Sequence, residues 1–176
     1  SLHVSQLLRR VAAQANTDAL TDLPNRRTFE DTWRRMVQRA ERNQSPLALM
    51  VMDVDHFKRV NDTHGHAAGD EALRVLGWAL RNHLRPGDLC ARLGGEEFGI
   101  LLPCIDSLGA VRVADRLRRM VADKPAQVES GPLHFSVSIG ASMLDPADEG
   151  YEAAYARADE ALYAAKHAGR NRVLMS

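Results

Sequence analysis

The chain has few cysteines, few aromatic residues and no formal net charge. Two cysteines, Cys90 and Cys104, occur in 176 residues, which is too few for a disulfide framework or a cysteine-rich metal site. We expect both to be reduced and buried. Lysine plus arginine number 23, as do aspartate plus glutamate, and a formally neutral chain is poorly suited to a nucleic acid polymer as its main partner.

Long apolar runs are absent as well. None approaches the ~20 residues that a membrane-spanning helix needs, and the first residues do not read as a signal peptide. We therefore expect a cytoplasmic segment that makes no membrane contact of its own. An anchor in a preceding segment stays open.

The periodicity of apolar residues predicts one α+β domain with a palm-like central mixed sheet, an antiparallel hairpin in it and helices on its outer faces. A helix over residues 2–15 carries an apolar stripe with little else to pack on, so we expect it to be the end of a longer helix. The other expected helices are at about 26–42, 73–84, from Ser107 onward, and 151–168. The expected strands are 47–52, 89–92, 98–102, 133–142 and 172–175.

Two glycines and two carboxylates interrupt a pair of apolar strands at residues 92–98. Gly94 and Gly95 predict a tight hairpin, because glycine reaches positive φ without steric cost. A solvated acidic turn would explain Glu96 and Glu97. Adjacent carboxylates at a glycine-opened turn also suit a divalent cation that carries a phosphate.

A second acidic site follows the apolar run at residues 47–52. Asp53 and Asp55 lie on one side of that strand by its two-residue period. Carboxylates at the end of a buried strand are costly unless they are paired or bound to metal, so strand-end capping and metal binding are both open. The polar, glycine-containing stretch from Asn61 to Asp70 is expected to connect this strand to a helix. Its amide and carboxylate can read the edge of a purine.

With these motifs the chain resembles the GGDEF-domain diguanylate cyclases over nearly all residues after about 17. The matching segments, in the family's order, are 18–26 (DALTDLPNR), 53–58 (DVDHFK), 61–70, 85–88 (RPGD), 94–98 (GGEEF), 136–140 (SVSIG) and 166–171 (KHAGRN). The resemblance implies a helical linker at 1–16 and a GGDEF catalytic domain at 17–176.

The resemblance also implies a reaction, in which two GTP molecules condense to cyclic di-GMP and two pyrophosphates. Two Mg²⁺ ions per active site, with Mn²⁺ as a possible substitute, would serve the attacking and leaving oxygens. By family position the metal ligands are Asp53, Glu96 and the Val54 carbonyl. Glu96, Glu97 and Lys58 are the catalytic candidates, Glu97 either assisting or holding the local network.

Substrate contacts are implied in the same way. Asn61 and Asp70 match the positions that bind guanine. The remaining candidates surround the phosphates, and they are His56, Phe57, Lys58, Gly94, Gly95, Lys166 and Arg170. For Lys166 and Arg170, at the end of a predicted helix, a favourable interaction with the helix dipole is an alternative that does not exclude phosphate binding.

A regulatory site is implied at residues 85–88. In the family, arginine and aspartate at the positions of Arg85 and Asp88 bind the product and inhibit, with Arg116 as a second arginine and Arg39 as a less secure third. A helix-to-strand turn flanked by an ion pair is the structural alternative. The expected partners are thus GTP, cyclic di-GMP as product and inhibitor, a second copy in a homodimer, and an upstream sensor domain outside this chain.

Three other interpretations have less support in the sequence. A zinc site at His56, His64 and His66 is disfavoured because a phosphate-bearing magnesium site needs oxygen ligands, and His66 is expected to hydrogen-bond within its turn. A binding module without turnover conflicts with the intact set of charged motif residues. A palm-type polymerase or a cyclase acting on one nucleotide lacks support, since no basic track for a template is visible.

Overall fold

The apolar run that begins at Leu47 forms the central strand of the sheet. The computed structural model describes residues 1–176, except for the side chain of Gln14. The helices are α1 (Leu2–Asn16), α2 (Arg26–Asn43), α3 (Phe57–His64), α4 (His66–His83), α5 (Ser107–Asp123) and α6 (Tyr151–His167). The strands are β1 (Leu47–Val54), β2 (Leu89–Gly94), β3 (Glu97–Pro103), β4 (Ala126–Val128), β5 (Gly131–Leu133), β6 (Val137–Met143) and β7 (Val173–Met175).

Within the described residues, a mixed sheet has the strand order β2-β3-β1-β6-β7, and β4 pairs with β5 in a separate hairpin. β1 is antiparallel to both of its neighbours, β3 and β6, whereas β6 and β7 are parallel. Every residue of β1 is buried, because helices cover both faces of the sheet. The predicted α+β fold with a mixed sheet is therefore confirmed.

Successive residues of β1 point to opposite sides. Leu49 and Val51 pack in a cluster with Phe29 and Trp33 of α2 and with residues of α6. Met50 and its alternating neighbours pack on the other side with residues of α4 and α5. This parity places Asp53 on the α2 and α6 side.

α1 has no such packing. Each of its residues whose side chain is described is exposed, including Leu2 at 82% and Leu8 at 63%. The end of the helix is nevertheless tied to α2, since the Asn25 side chain donates to the Ala15 carbonyl at 2.8 Å and the Thr28 hydroxyl to the Asn16 carbonyl at 2.9 Å. Among the described residues, no helix has the length and apolar character needed to cross a membrane.

Four local predictions were wrong. The stretch 61–70, expected to be a connection, is instead divided between α3 and α4, and Gly65 alone, at φ +89°, separates the two helices. The expected strand 133–142 is divided into β5 and β6. Asp106, not Ser107, caps α5 by accepting a hydrogen bond from the Gly109 amide at 2.7 Å. Cys104 is exposed, because it lies in the loop after β3, whereas Cys90 is buried.

Candidate active site

The end of β1 meets the tip of the β2-β3 hairpin. Asp53 pairs with Glu97 in the antiparallel register, and the Val54 amide donates to the Glu96 carbonyl at 3.3 Å. β2 runs to Gly94, which pairs with Glu97, so Gly95 and Glu96 form the turn itself. Three residues expected to hold metal, Asp53, Val54 and Glu96, are thereby adjacent, although they come from separate segments.

Asp53 has an unusual environment for a carboxylate. Its residue is 7% exposed, its Oδ2 accepts a hydrogen bond from the Lys166 ammonium, and its buried Oδ1 has no partner within the described residues. Burial raises the pKa of the Asp53 carboxyl to about 6, although Lys166 opposes the rise, and the nearby charges of Glu96 and Glu97 add to it. Burial disfavours the ionised Asp53 carboxylate, and its Oδ1 has an unused lone pair, so this oxygen is available to a cation.

Asp55 lies two residues beyond Asp53 but is already satisfied. Its carboxylate accepts hydrogen bonds from the hydroxyls of Ser136 at 2.7 Å and Ser138 at 2.6 Å, and from the Asn171 amide at 3.0 Å. Asp55 therefore ties β1 to β6 and to the loop before β7, which is the strand-end role that its position in the sequence left open.

Glu97 is held by two residues to which the sequence reading gave no role. Its Oε1 accepts from the Tyr155 hydroxyl and lies 3.5 Å from the Arg26 guanidinium. Burial, and then the bond to Glu97, raises the pKa of Tyr155 to about 12, so the phenol stays protonated and donating. Tyr155 and Lys166 are 11 residues apart on α6, close to three turns, and that spacing was the available signal that they share a face.

The donor set fits a magnesium site that a nucleotide completes. Among the described residues, no group of three or more histidine, cysteine, aspartate and glutamate side chains could hold a metal ion. Magnesium in nucleotide enzymes takes one or two carboxylates, and substrate phosphates and water fill the rest. Asp53, with its free Oδ1, Glu96 and a backbone carbonyl provide that minimal set.

The two residues expected to read guanine lie on neighbouring helices. Asn61 is on α3 and Asp70 on α4. The buried Asn61 Oδ1 has no hydrogen-bond partner among the described residues. A Cβ on Gly69 would lie 1.9 Å from that oxygen, so only glycine at this position leaves the amide where it is. Asp70 is exposed and available to a ligand.

The candidate phosphate ligands gather at two chain reversals. His56 precedes α3 at φ +54°, and no described side chain caps the first amides of that helix, which leaves them available to an anion. Lys166 is in the last turn of α6. Arg170 follows at φ +62°, a left-handed conformation that is costly for a residue with a Cβ and is concentrated at functional sites. Lys58 is exposed on α3.

These features coincide with a known domain. Residues 15–172 match the family model described as the diguanylate cyclase GGDEF domain. The chain belongs to the GGDEF-domain diguanylate cyclase family.

Relatives with known names or structures agree with this membership. The chain is 42% identical over 160 residues to the diguanylate cyclase DgcP of Pseudomonas aeruginosa, covering 91% of this chain and 24% of DgcP. The crystal structure of the coiled coil and GGDEF domain of DgcB from Caulobacter crescentus, in complex with c-di-GMP, has a TM-score of 0.92 at 32% identity, with 99% of this chain and 92% of that one covered. The active GGEEF domain of a diguanylate cyclase from Vibrio cholerae has a TM-score of 0.81 at 36% identity, with 87% and 97% covered.

The chain spans between 24% and 48% of the length of the first curated relatives. It therefore corresponds to one part of those longer proteins. Residues 94–98 read GGEEF, the signature for which the Vibrio cholerae domain is named.

In this GGDEF domain, Arg92 holds the turn at Gly95 through hydrogen bonds. Its guanidinium donates to the Gly95 carbonyl at 2.9 and 3.0 Å and to both carboxylate oxygens of Asp18 at 3.1 and 3.2 Å. Burial alone would raise the pKa of Asp18, but hydrogen bonds from Thr21 and from Arg92 bring it below the usual value. The hairpin tip is thus connected to the segment that directly follows α1.

The predicted inhibitory residues are only partly brought together. Arg85 donates to Asp88 at 3.1 Å and to the Pro103 carbonyl at 3.0 Å, and Asp88 accepts the Arg85 amide at 2.9 Å. Arg116 of α5 donates to the His83 carbonyl at 3.0 Å, close to the turn. Arg39 is exposed on α2, which packs on the opposite face of the sheet from α5. Within one chain, Arg39 therefore does not join the other three.

His56, His64 and His66 belong to no group that could hold a metal ion among the described residues. The His64 ring nitrogen lies 3.3 Å from the Ser130 hydroxyl, while His66 begins α4. The hydrogen bond expected from the His66 side chain within its turn is missing from the described contacts. His56, His64 and His134 line a cavity of about 490 Å³, with Leu133 and Phe135 among its apolar residues.

Proposed function

We propose that the chain is the catalytic part of a diguanylate cyclase, which condenses two GTP molecules into cyclic di-GMP and releases two pyrophosphates. Each 3′-hydroxyl attacks the α-phosphate of the other nucleotide. The observation that carries this proposal is the buried Oδ1 of Asp53, which has no partner among the described residues and lies beside the GGEEF turn. A carboxylate kept this way at the cost of its own solvation is expected where a metal and phosphates bind.

Asp53, Glu96 and the Val54 carbonyl would hold Mg²⁺, as two ions per site or with Mn²⁺ as a substitute. When bound, the metal supplies charge stabilisation for the attacking hydroxyl and the departing pyrophosphate. Without nucleotide, Lys166 neutralises Asp53. We expect the ammonium to move from the carboxylate to the phosphates when GTP binds, because the phosphates offer a denser negative charge.

Glu97 acts mainly by holding the network. Its carboxylate is engaged by Tyr155 and by Arg26, and it therefore fixes the start of β3 relative to α6 and α2. This keeps Glu96, the preceding residue, at the mouth of the site. Lys58, exposed on α3, is assigned to the phosphates.

Guanine would be recognised between α3 and α4. The Asn61 Oδ1, buried and unpartnered within the described contacts, can accept from a guanine N–H, and the Asp70 carboxylate can accept from another. The free amides at His56 and Phe57, with Lys166, Arg170 and the open backbone at Gly94 and Gly95, would surround the triphosphate.

The chemistry requires two domains. One domain binds one GTP, so two copies must face each other in two-fold fashion, with a nucleotide on each. The exposed apolar stripe of α1, which includes Leu8 and Val11 at 63% and 56% exposure, is suited to a parallel partner helix. A sensor domain preceding α1 would act through this helix, and the Asp18–Arg92 pair connects its end to the hairpin.

Product inhibition is proposed at Arg85, Asp88 and Arg116. The Arg85 fork already takes a carboxylate and a carbonyl, and it can take a phosphate or guanine edge in the same planar geometry. Arg39 would have to come from the second domain of the dimer. The site lies at the end of α4, away from the tip of the hairpin.

The test is incubation of the protein with Mg²⁺ and GTP, followed by chromatographic separation of the products. We expect cyclic di-GMP and pyrophosphate from the parent. Glu96→Gln should lose at least about a hundredfold in turnover, because a neutral amide forfeits several kcal/mol of metal charge stabilisation. Cyclic GMP, a linear polymer or no product at all would contradict the proposal, as would full activity of Glu96→Gln.

A further inference from the structure

The first turn of α2 has a composition that does not suit a helix. It begins Arg26-Arg27 and contains no acidic residue, although the N-terminal end of a helix carries partial positive charge and favours carboxylates. Arg26 is engaged by the Leu93 carbonyl, at 3.2 Å, and by Glu97. Arg27 is exposed and forms no side-chain hydrogen bond or ion pair with any described residue. A local feature that opposes folding is expected to serve function.

Arg27 opens into a recess of about 410 Å³ beside the GGEEF turn, which we call the arginine recess. Its lining consists of Asp18, Asn25, Arg26, Arg27, Arg92, Leu93, Gly94 and Gly95. Three arginines and one aspartate belong to this lining. Arg92 pairs with Asp18 and Arg26 with Glu97, so Arg27 is the arginine whose charge has no partner among the described residues. Gly94 and Gly95 are both at positive φ, and a Cβ added to either would meet no atom within 4 Å, so a ligand can approach the backbone there.

The arginine recess lies on the β2 side of the metal ligands, whereas Arg170 lies on the β7 side. Across the sheet the order is β2, β3, β1, β6, β7. Arg92 and Gly94 are on β2, while Arg170 precedes β7. At about 4.8 Å per strand, β2 is about 10 Å from β1 and about 19 Å from β7. The groups proposed to hold a domain's own triphosphate are Lys166, Arg170 and the backbone at Gly94 and Gly95. They do not include Arg27, which lines the recess on the β2 side.

We infer that Arg27 binds a phosphate of the nucleotide held by the second domain, and so completes the active site of its partner. This inference rests on the proposed function, since it requires two nucleotides facing head to tail. The guanidinium offers the planar fork that phosphate oxygens accept. It neutralises charge where two triphosphates approach each other, and it does so only when the two domains are correctly juxtaposed.

The test uses 3′-deoxy-GTP with Mg²⁺, a nucleotide without the attacking hydroxyl, so no bond can form. Sedimentation equilibrium measures the dimer dissociation constant with and without this nucleotide. Titration at protein concentrations far below that constant measures nucleotide binding by one domain. The variants are Arg27→Ala, Arg27→Lys and the control Arg42→Ala, an exposed arginine in the last turn of the same helix.

In the parent, we expect the nucleotide to tighten the dimer. Arg27→Ala should lose that tightening by about tenfold to a hundredfold, the usual worth of a hydrogen bond to a charged group. Arg27→Lys should recover part of it, and Arg42→Ala should match the parent. Nucleotide binding by the single domain should stay within about twofold of the parent in all variants.

Two results would overturn the inference. If Arg27→Ala weakens single-domain binding as much as it weakens dimerisation, the arginine contacts its own nucleotide. If it changes neither, the arginine recess binds no nucleotide phosphate. GTP turnover, measured in parallel, tests the proposed function independently of this inference. A parent that tightens through Arg27 but makes no cyclic di-GMP would refute the activity and leave the inference standing.

Discussion

The buried charge of Asp53 should lower the free energy of unfolding of the nucleotide-free protein at neutral pH. Its carboxyl is raised from a pKa of 3.8 to about 6 by burial, in spite of the Lys166 ammonium. Because the folded-state pKa lies above the unfolded one, the folded chain holds the proton more tightly. The free energy of unfolding therefore falls as pH rises from about 4 to about 6, and the deficit is constant above that.

The magnitude follows from the shift. Two pKa units correspond to about 3 kcal/mol, which is an upper limit, because solvent screening at the mouth of the site and residual denatured-state structure reduce it. Asp53→Asn keeps the shape of the protonated acid without its charge. At pH 7.5 we expect this variant to be about 1–3 kcal/mol more stable than the parent, with the difference vanishing toward pH 4. Its turnover of GTP should be lost.

Urea unfolding between pH 4 and pH 8, followed by circular dichroism on dilute protein, measures this difference. Asp148→Asn is a matched control for which we expect the opposite change in stability. Asp148 accepts from Arg157 at 2.6 and 2.9 Å, and Arg157 lowers the pKa of that carboxyl. Asp148→Asn should therefore be less stable than the parent by a nearly constant amount from about pH 5 to pH 8, because the folded and unfolded pKa values of Asp148 both lie below that range.

The reasoning would be refuted by an Asp53→Asn protein that is less stable than the parent at pH 7.5. That result would mean that the Lys166 pair more than offsets the burial of the charge. A difference that does not change with pH would likewise exclude titration of Asp53 as its cause. Addition of Mg²⁺ with 3′-deoxy-GTP should reverse the order, because the parent alone retains the charged metal ligand.

Three further predictions concern recognition, inhibition and assembly. Asp70→Ala should weaken GTP binding by several-fold to about a hundredfold, since an unmatched guanine donor costs about 1–3 kcal/mol; calorimetry with GTP and ATP checks this, and an unchanged preference would place base reading elsewhere. Arg85→Ala should keep the initial rate and remove the slowing that follows product accumulation. The hydrogen bond from the Arg85 backbone amide to Asp88 stays intact in this variant. Equal inhibition of variant and parent in progress curves would contradict the prediction. Specific activity should rise with enzyme concentration, and deletion of residues 1–15 should shift that rise to higher concentration without altering GTP binding by a single domain. The reason is that the exposed stripe of α1 would no longer raise the local concentration of the second domain. A specific activity independent of dilution, in a protein that stays monomeric, would rule out the two-domain mechanism.

Short-range patterns in the sequence were sufficient for the framework. A continuous apolar run at 47–52 predicted a strand buried on both faces, since only such a strand has no polar side to show to water. Adjacent glycines between apolar runs predicted the hairpin, whose turn residue Gly95 has φ +50°. The order of these elements, together with the motifs, was enough to predict the α+β fold and the family.

Local signals failed where a distant group decided the outcome. The polar stretch at 61–70 resembled a connection, but it is helical on both sides of Gly65, because Val60 of α3 and Ala68 of α4 are buried in the core. The run at 133–142 resembled one strand, but the Ser136 hydroxyl at its interruption donates to Asp55, 81 residues earlier. Cys104 was expected inside because cysteine is usually buried, yet it lies in an exposed loop with φ +57°.

The sequence by itself determined the candidate residues for the chemistry, because carboxylates, glycines and basic residues stand in recognisable order along the chain. Only the tertiary structure decided their states. Asp53 receives its ammonium partner from Lys166, 113 positions away, and Arg92 reaches Asp18 across 74. Burial and charge pairing depend on which distant segments pack together, so the difference between the satisfied Asp55 and the half-satisfied Asp53, two residues apart, became readable only in three dimensions.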